Sequence, residues 1–100
     1  MLRHAPNFLN TLSMRETFAD RVRKIVAEIP RGETLSYGEV ARRAGNVRAA
    51  RAVGNILKKN FDPTIPCHRV IRSDGKTGDY NRGAERKREL LKREGASIAE

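Results

Sequence analysis

Residues 36–60 read SYGEVARRAGNVRAARAVGNILKKN, and this stretch decides the fold. Ser36 and Glu39 have the spacing of a capping box, which predicts a short helix that begins there and stops at Gly45. Asn46 is then expected to cap a second helix that runs to the end of the stretch. The apolar positions of that second helix are Val47, Ala50, Val53, Ile56 and Leu57. Two short helices joined by a glycine-containing turn predict a helix-turn-helix unit.

The same stretch carries much of the positive charge of the chain. The 100 residues hold 21 Lys and Arg against 12 Asp and Glu, which gives a net charge of +9 and a pI near 10.6. Six of the cations and one glutamate lie in residues 36–60, a local net charge of +5. Such a field attracts polyanions, and nucleic acid is the usual one inside a cell. On charge alone, a small ribosome-associated protein or a merely basic protein is an alternative.

Around this unit the sequence predicts a mainly α, small winged-helix-like domain with little β-structure. A capping box at residues 13–16 and an apolar face predict a first helix, which ends at residues 30–32. The apolar face comprises Phe18, Val22, Ile25, Val26 and Ile29. Residues 61–66 contain two prolines and predict an irregular loop. Residues 70–71 are expected to be extended, and residues 73–75 to form a turn.

A last helix is expected from about Ala84 to Glu94, with Leu90 and Leu91 facing inward and Gly95 as its C-cap. The chain is interpreted as one domain: an N-terminal extension (1–13), the folded domain (14–95) and a C-terminal tail (96–100). No apolar run approaches the length of a membrane span, and the extension lacks the apolar core of a signal peptide. A cytoplasmic or nucleoid-associated protein is therefore expected.

The chain has one cysteine, Cys67, directly followed by His68. One cysteine excludes an internal disulfide, and one cysteine with two histidines argues against a structural zinc site. The thiol is therefore either a small buried apolar group or a reactive nucleophile. A nucleophile needs a neighbouring base, which His68 can supply directly or through a water, and Arg69 adds positive charge. Glu94 can orient the imidazole if the last helix folds back.

Residues 66–70, PCHRV, match in full the active-site signature of the O6-alkylguanine-DNA alkyltransferases, and the sequence resembles the C-terminal catalytic domain of that family. Further motifs follow the family's order around the signature. They are Ser36-Tyr37-Gly38, Ala49-Ala50-Arg51-Ala52-Val53-Gly54, Asn60, Gly78 with Tyr80, and Leu90-Leu91 with Glu94-Gly95. The resemblance covers about residues 16–95. It favours the reactive thiol and implies transfer of an alkyl group from O6 of guanine in DNA to the Cys67 sulfur.

The resemblance implies roles that suit the chemistry of a base stacked in a duplex. A thiol cannot attack the alkyl carbon in line unless the nucleotide is rotated out of the stack. Arg51 matches the arginine that fills the vacated space. Tyr37 matches the tyrosine that presses the nucleotide outward and donates to the guanine ring at N3. Without the resemblance, Arg51 is an ordinary phosphate contact and Tyr37 an aromatic residue at the edge of the core.

Other matches concern the sulfur and the leaving base. His68 and Glu94 match a water-linked proton relay, and Asn60 matches the asparagine that braces the active-site turn. The backbone amide of Asn81 is expected to donate to O6, and Tyr80 to pack near the base. The remaining residues expected to contact the substrate are Ser36 and Val70, which lie in matching motifs. Taken alone, Asn60 is a helix C-cap, Tyr80 a packed loop residue and Glu94 a solvated charge.

The thioether formed on the cysteine is stable, so the resemblance implies one turnover per molecule, without metal or organic cofactor. It also implies a monomer whose helix-turn-helix enters the minor groove of double-stranded DNA with little sequence specificity. Binding then rests on phosphate contacts and weakens steeply with salt. The expected phosphate contacts are Arg42, Arg43, Arg48, Lys58 and Lys59.

Some features depart from the family. Full-length members usually carry an N-terminal domain, which is expected to be absent because about fifteen residues precede the first helix. The segment between Asn60 and Pro66 is about a residue shorter than usual. Asp79 stands where the family generally has Gly or Asn, and an acid facing the pocket would disfavour a leaving guanine anion.

Three other interpretations fit parts of the sequence. An alkyltransferase-like protein binds the lesion without transfer, but those relatives typically replace the cysteine that this chain keeps. A helix-turn-helix regulator has no need of the PCHRV signature and usually dimerises on two half-sites. A cysteine hydrolase favours a histidine remote in sequence with an orienting Asn or Asp, and His4 is a poor candidate for it.

Overall fold

The computed structural model describes residues 16–99, and the first helix in that range, α1, spans Phe18–Ala27. Thr17 is its N-cap. The Thr17 hydroxyl accepts from the Asp20 amide at 3.1 Å, and the Asp20 carboxylate accepts from the Thr17 amide at 3.1 Å. The prediction of a capping box at residues 13–16 is therefore wrong for this helix, and residues 13–15 lie outside the described range. Thr17 and Asp20 carry the same spacing one turn later, with Asp in place of the usual Glu.

The predicted helix-turn-helix unit is present. A short strand β1 (Leu35–Ser36) leads into α2 (Tyr37–Arg43), and α3 (Ala50–Lys58) follows after a turn. The Ser36 hydroxyl caps α2 by accepting from the Glu39 amide at 3.0 Å, which is one half of the predicted capping box. The Glu39 carboxylate accepts from Arg42 and Arg43 instead of from the Ser36 amide.

The predicted end of α2 at Gly45 is confirmed. Gly45 has a φ of +100°, a conformation that residues with a Cβ rarely adopt. Its N–H donates to the Arg42 carbonyl at 3.0 Å, and the Asn46 N–H donates to the Ala41 carbonyl at 2.9 Å. This pair of bonds is a Schellman motif, which satisfies the last carbonyls of the helix and turns the chain toward α3.

The predicted start of α3 is wrong. Asn46 does not cap the helix; its Oδ1 accepts from the Arg48 amide at 3.1 Å and closes the turn. The helix begins at Ala50 without a side-chain cap. Val47 lies in the turn, 67% exposed, and not on the apolar face of α3. An asparagine can bond its own backbone two residues on as readily as it caps a helix, which is why the sequence misled.

After α3 and an irregular loop, the chain forms a single-turn 3₁₀ helix, Cys67–Arg69, and a second strand β2 (Val70–Ile71). The two strands pair in parallel, with Leu35 opposite Val70 and Ser36 opposite Ile71. The extended stretch at residues 70–71 is confirmed, but its partner was not predicted because two residues show no alternating pattern. The turn that follows closes with the Gly75 N–H donating to the Arg72 carbonyl at 3.0 Å.

The last helix, α4, spans Ala84–Arg93, within one residue of its predicted end. Glu94 is its C-cap, and Gly95, predicted as the C-cap, is the next residue, with a φ of +80°. The end of α4 lies against the turn that follows α1: a Cβ on Gly32 would lie 3.0 Å from the Glu94 carbonyl oxygen. The Glu94 side chain contacts the 3₁₀ helix through hydrogen bonds with His68 and Arg69.

The core lies between α1, α2 and α3, with β2 against it. Its fully buried valines are Val22, Val26, Val40, Val53 and Val70. Leu91 of α4 is also fully buried and Leu90 half-buried, as their inward direction predicted. Burial of each such side chain contributes about 1.5–3 kcal/mol. The mainly α prediction with little β-structure is confirmed. Within residues 16–99, no helix has the length and apolar character to pass through a bilayer.

Candidate active site

Cys67 is the first residue of the 3₁₀ helix, and only 7% of its surface is exposed. Hydrogen bonds fix the backbone on both sides: the Cys67 N–H donates to the Ile65 carbonyl at 2.8 Å, and the Arg69 N–H donates to the Pro66 carbonyl at 3.0 Å. The side-chain amide of Asn60 donates to Sγ at 3.0 Å. The sulfur is therefore held at one point by its own turn and by a residue just beyond α3.

A cavity of about 810 Å³ opens beside the sulfur. Pockets for small ligands measure about 300–1,000 Å³, so a purine fits in this volume. Its walls are the start of α2, one face of α3, the sulfur and the loop at residues 78–81. They include Tyr37, Arg51, Lys58, Cys67, Tyr80 and Asn81. The thiol is thus buried from bulk solvent but lies at a cavity wall, not sealed in the core.

Burial raises the pKa of the Cys67 thiol above its ordinary value of 9.0. The hydrogen bond from Asn60 and the charges of Arg82 and Lys87 lower the pKa and offset part of that effect. The thiol is therefore neutral at pH 7 in the resting protein. It becomes a nucleophile only when a base takes its proton.

A buried network lies beside the thiol. His68 Nε2 is 3.0 Å from Glu94 Oε2, and Arg69 donates to both oxygens of the same carboxylate, at 3.0 and 2.9 Å. Arg69 also donates to the Ile29 carbonyl at 2.7 Å. The hydrogen bonds from Arg69, and then that from His68, lower the pKa of Glu94 to about 2, so the carboxylate is ionised. In the described residues no direct hydrogen bond joins His68 to Sγ, whose partner is Asn60.

Tyr37, the first residue of α2, also lines the cavity. Its hydroxyl donates to the Asp79 carbonyl at 3.4 Å and accepts from Lys87 Nζ at 3.2 Å. Nζ also donates to the Asp79 carbonyl at 3.0 Å and lies 5.5 Å from the centroid of the tyrosine ring. Burial, and then the charge of Asp79, raise the pKa of Tyr37, so its hydroxyl is a neutral donor.

Lys87 is a site residue that the sequence analysis missed. It lies on α4 and its side chain is completely buried, although lysine is rarely buried without a partner. Its position four residues before Leu91 places both on the same face of the helix, and that spacing was the available signal. A lysine in a strongly charged helix is more often solvated, so the pattern did not distinguish it.

The structure brings several predicted residues to this cavity. Arg51 and Lys58 reach its rim from α3, and both are exposed. The ring of Tyr80 meets the imidazole of His68 edge-on, with centroids 6.4 Å apart. Asn81 lies in the loop that lines the cavity, and Asp79 beside it is exposed.

Other predicted residues lie apart from the cavity or are already engaged. The side chain of Val70 is completely buried in the core. The Ser36 hydroxyl is occupied as the cap of α2. Arg42 and Arg43 both bind the carboxylate of Glu39. Arg48 is exposed in the turn before α3, and Lys59 lines a separate groove beside α1.

Fold and site together define a helix-turn-helix domain with a cysteine at the wall of a cavity. The family described as 6-O-methylguanine DNA methyltransferase, DNA binding domain, matches residues 17–96. The chain belongs to this family.

Individual relatives agree with this assignment. A methylated-DNA–protein-cysteine methyltransferase of Methanothermobacter thermautotrophicus is 51% identical over 79 residues, which are 78% of this chain and 44% of that protein. The crystal structure of Mycobacterium tuberculosis OGT in complex with DNA is similar with a TM-score of 0.74 and 47% identity, covering 83% of this chain and 53% of that one. The chain therefore spans about half the length of these two relatives.

A second kind of relative is shorter. The crystal structure of S. pombe Atl1 in complex with damaged DNA containing O6-carboxymethylguanine is similar with a TM-score of 0.70 and 37% identity. The match covers 78% of this chain and 75% of that one.

Proposed function

We propose that this protein repairs DNA by moving an alkyl group, such as methyl, from O6 of guanine to the sulfur of Cys67. The observation that carries the proposal is the position of that sulfur, at the wall of a cavity that fits a purine, beside a basic helix-turn-helix unit. Membership of the family supports the same reaction. Displacement of guanine from a saturated carbon needs neither a metal nor an organic cofactor.

The guanine reaches the cavity by rotating out of the duplex. Arg51 lies on α3 at the rim, where its guanidinium takes the place of the extruded base in the stack. Tyr37 also lines the cavity, where it disfavours return of the nucleotide. The helix-turn-helix binds the minor groove of double-stranded DNA as a monomer, with little sequence specificity. Cations of α2 and α3 contact phosphates, so affinity falls steeply with salt.

Transfer begins with removal of the thiol proton. His68 takes this proton from Cys67 through a bridging water, and Glu94 stabilises the resulting imidazolium. The thiolate attacks the alkyl carbon, and a C–S bond forms as the C–O bond breaks. The bonding electrons leave with the guanine, which gains a proton at N1, so that one thiol proton and one alkyl group change places. The thioether is stable, so each chain reacts once.

Donors around the base stabilise the charge that develops on it. The Tyr37 hydroxyl donates to N3, and the backbone amide of Asn81 donates to O6. Lys87 supports the first contact, because the tyrosine oxygen that accepts from Nζ at 3.2 Å can turn its own proton from the Asp79 carbonyl to the substrate. Donation from a cation also strengthens the hydroxyl as a donor.

A second candidate function is lesion binding without transfer. The similarity to S. pombe Atl1, whose structure holds a damaged DNA, favours it. The presence of Cys67 with its buried relay favours transfer, because recognition alone needs no ionisable sulfur.

The two functions are separated by measuring the DNA after reaction. A duplex with one O6-methylguanine is titrated with wild-type protein or with Cys67→Ala, and nucleosides are quantified after digestion. We expect one lesion converted to guanine per wild-type chain and none by the variant, although both bind the duplex. Lesion-selective binding without conversion by the wild type supports the second function. A wild-type protein that neither converts the lesion nor binds it in preference to unmodified duplex contradicts both functions.

A further inference from the structure

The side chain of Asn81 lies against the end of α3. Its Nδ2 donates to the carbonyls of Leu57, Lys58 and Asn60, at 3.4, 3.0 and 2.6 Å. The last carbonyls of a helix have no partners within the helix and need donors from elsewhere. One amide group from the cavity loop therefore serves the last turn of the helix proposed to contact DNA.

Asn60 links the Asn81 side chain to the sulfur. Asn60, whose carbonyl accepts the shortest of these bonds, donates its own side-chain amide to Cys67 Sγ at 3.0 Å. On the other side, Asn81 follows Tyr80, whose ring meets the imidazole of His68. A single side chain thus joins the end of α3, the donor to the sulfur and the loop that lines the cavity.

The loop has a backbone that such a contact can restrict. Gly78 and Gly83 flank it with φ values of +74° and +100°. Glycine has more conformational freedom than any other residue, so a loop between two glycines needs fixed points to hold one shape. The hydrogen bonds of Asn81 to α3 are such a fixed point.

We infer that Asn81 is a positioning residue, whose side chain sets the cavity loop and the Asn60 donor relative to α3. This inference rests on the proposed function, which uses only the backbone amide of Asn81. The side chain has a separate role, because it keeps Sγ and the loop in register with the helix that binds DNA. Displacement of reacting groups by about 1 Å lowers rates by up to about 100-fold, so the geometry matters for transfer.

The test compares variants of Asn81 with a control that affects only stability. Asn81→Asp keeps the shape but replaces the donor with a carboxylate that faces three carbonyls, Asn81→Ala removes it, and Asn81→Ser retains one shorter donor. The control is Thr17→Ala, which removes the cap of α1 and lowers Tm by about 4–8 °C. The measurements are Tm, the Kd for lesion duplex, the single-turnover rate constant of methyl transfer, and the pH profile of Cys67 alkylation by iodoacetamide without DNA.

We expect Asn81→Asp and Asn81→Ala to lower the transfer rate constant by about 10–100-fold, with Kd changed less than about threefold. The apparent pKa of Cys67 rises in the iodoacetamide profile, because the Asn60 bond that lowers it is weakened. Asn81→Ser recovers part of the rate. Thr17→Ala keeps the wild-type rate and profile at temperatures below its Tm.

A wild-type transfer rate and pH profile in Asn81→Ala would overturn the inference. It would also be overturned if Thr17→Ala lost as much transfer rate, for its loss in Tm, as the Asn81 variants lose. If Asn81→Asp does not fold, Asn81→Ser and Asn81→Ala decide the question. If the wild type transfers no methyl group, the proposed function fails. The iodoacetamide profile, which needs no DNA, then still supports the inference by a shift or overturns it by the lack of one.

Discussion

Two glutamates of this protein each hold positively charged or ionisable partners, but in opposite surroundings. Glu39 pairs with two arginines of α2, and 30% of its side chain is exposed. Glu94 pairs with Arg69 and His68, and 7% of its side chain is exposed. The pKa of each is lowered to about 2, by hydrogen bonds from arginine in the first place.

The two carboxylates have the same pKa, but the exposed cluster (Glu39 with its two arginines) and the buried cluster (Glu94 with Arg69 and His68) behave differently. Water and salt screen the exposed cluster, so its arginines can exchange the carboxylate for another anion at little cost. The buried cluster cannot exchange partners, because an unpaired charge in the interior is strongly unfavourable. The region proposed to meet DNA is thus adaptable, and the region around the sulfur is fixed.

The largest expected effect comes from breaking the buried cluster. Glu94→Gln leaves the Arg69 guanidinium buried without a counter-charge and should lower the free energy of unfolding by about 3 kcal/mol or more. Urea denaturation measures the loss. Glu39→Gln, the matched change in the exposed cluster, should leave the unfolding free energy nearly unchanged. Equal losses in the two variants would contradict the distinction.

The stabilisation by Glu94 should depend on pH in a defined window. Its pKa is about 2 in the folded chain against an ordinary value of 4.5. A lowered folded pKa means that the stabilisation is present above about pH 4.5 and is lost as pH falls toward 2. The gap in stability between wild type and Glu94→Gln should therefore close across that range. Addition of 0.5 M salt at neutral pH should leave most of the gap, and a gap abolished by salt would place Glu94 with the exposed cluster.

A smaller effect, on the transfer rate or on DNA binding, is expected when a lysine is replaced near the sulfur or at the exposed rim of the cavity. Lys87→Met removes the donor to the Tyr37 hydroxyl and should slow methyl transfer about tenfold, with little change in Kd for DNA. Lys58→Met, at the exposed rim, should weaken DNA binding and reduce its salt dependence, with little change in the rate of methyl transfer within the bound complex. Single-turnover kinetics at saturating protein separate the two. If Lys87→Met raised the Kd for DNA as Lys58→Met does and left the transfer rate unchanged, Lys87 would act only on binding.

The smallest expected effect is a gain. Glu39 is ionised at neutral pH and pairs with two arginines that are proposed to contact phosphates. Glu39→Gln should raise affinity for duplex DNA by about two- to fivefold at low salt and steepen the salt dependence by about one released counterion. Fluorescence anisotropy over a salt series measures both. A loss of affinity would mean that Glu39 orients its arginines and does not compete with phosphate.

Local signals in the sequence predicted most of the fold. The helix-turn-helix, the end of α2 at Gly45 and the last helix each depend on neighbours within a few residues. The cap of α3 was wrong because Asn46 had two local bonds available. The parallel pairing of β1 with β2 was missed because it joins segments distant in sequence, each too short to carry a pattern.

The candidate site divides in the same way. Cys67 and His68 are adjacent in sequence and form a motif, so the sequence identified them. The hydrogen bond between Glu94 and His68 was predicted only on the condition that α4 folds back. In the structure α4 does so, and its end lies close to Gly32. For Lys87 the spacing from Leu91 was a weak local signal, and the side chain of Asn81 had none, because their partners lie on α2 and α3 and meet them only in the folded chain.

The most direct test of alkyl transfer to Cys67 is the mass of the protein after reaction with a duplex that contains O6-methylguanine. Each reacted chain should gain the mass of one methylene, and peptide mapping should place it on the Cys67 sulfur. A chain of unchanged mass while the duplex is bound, or a methyl group on any other residue, would contradict the claim that this sulfur receives the alkyl group.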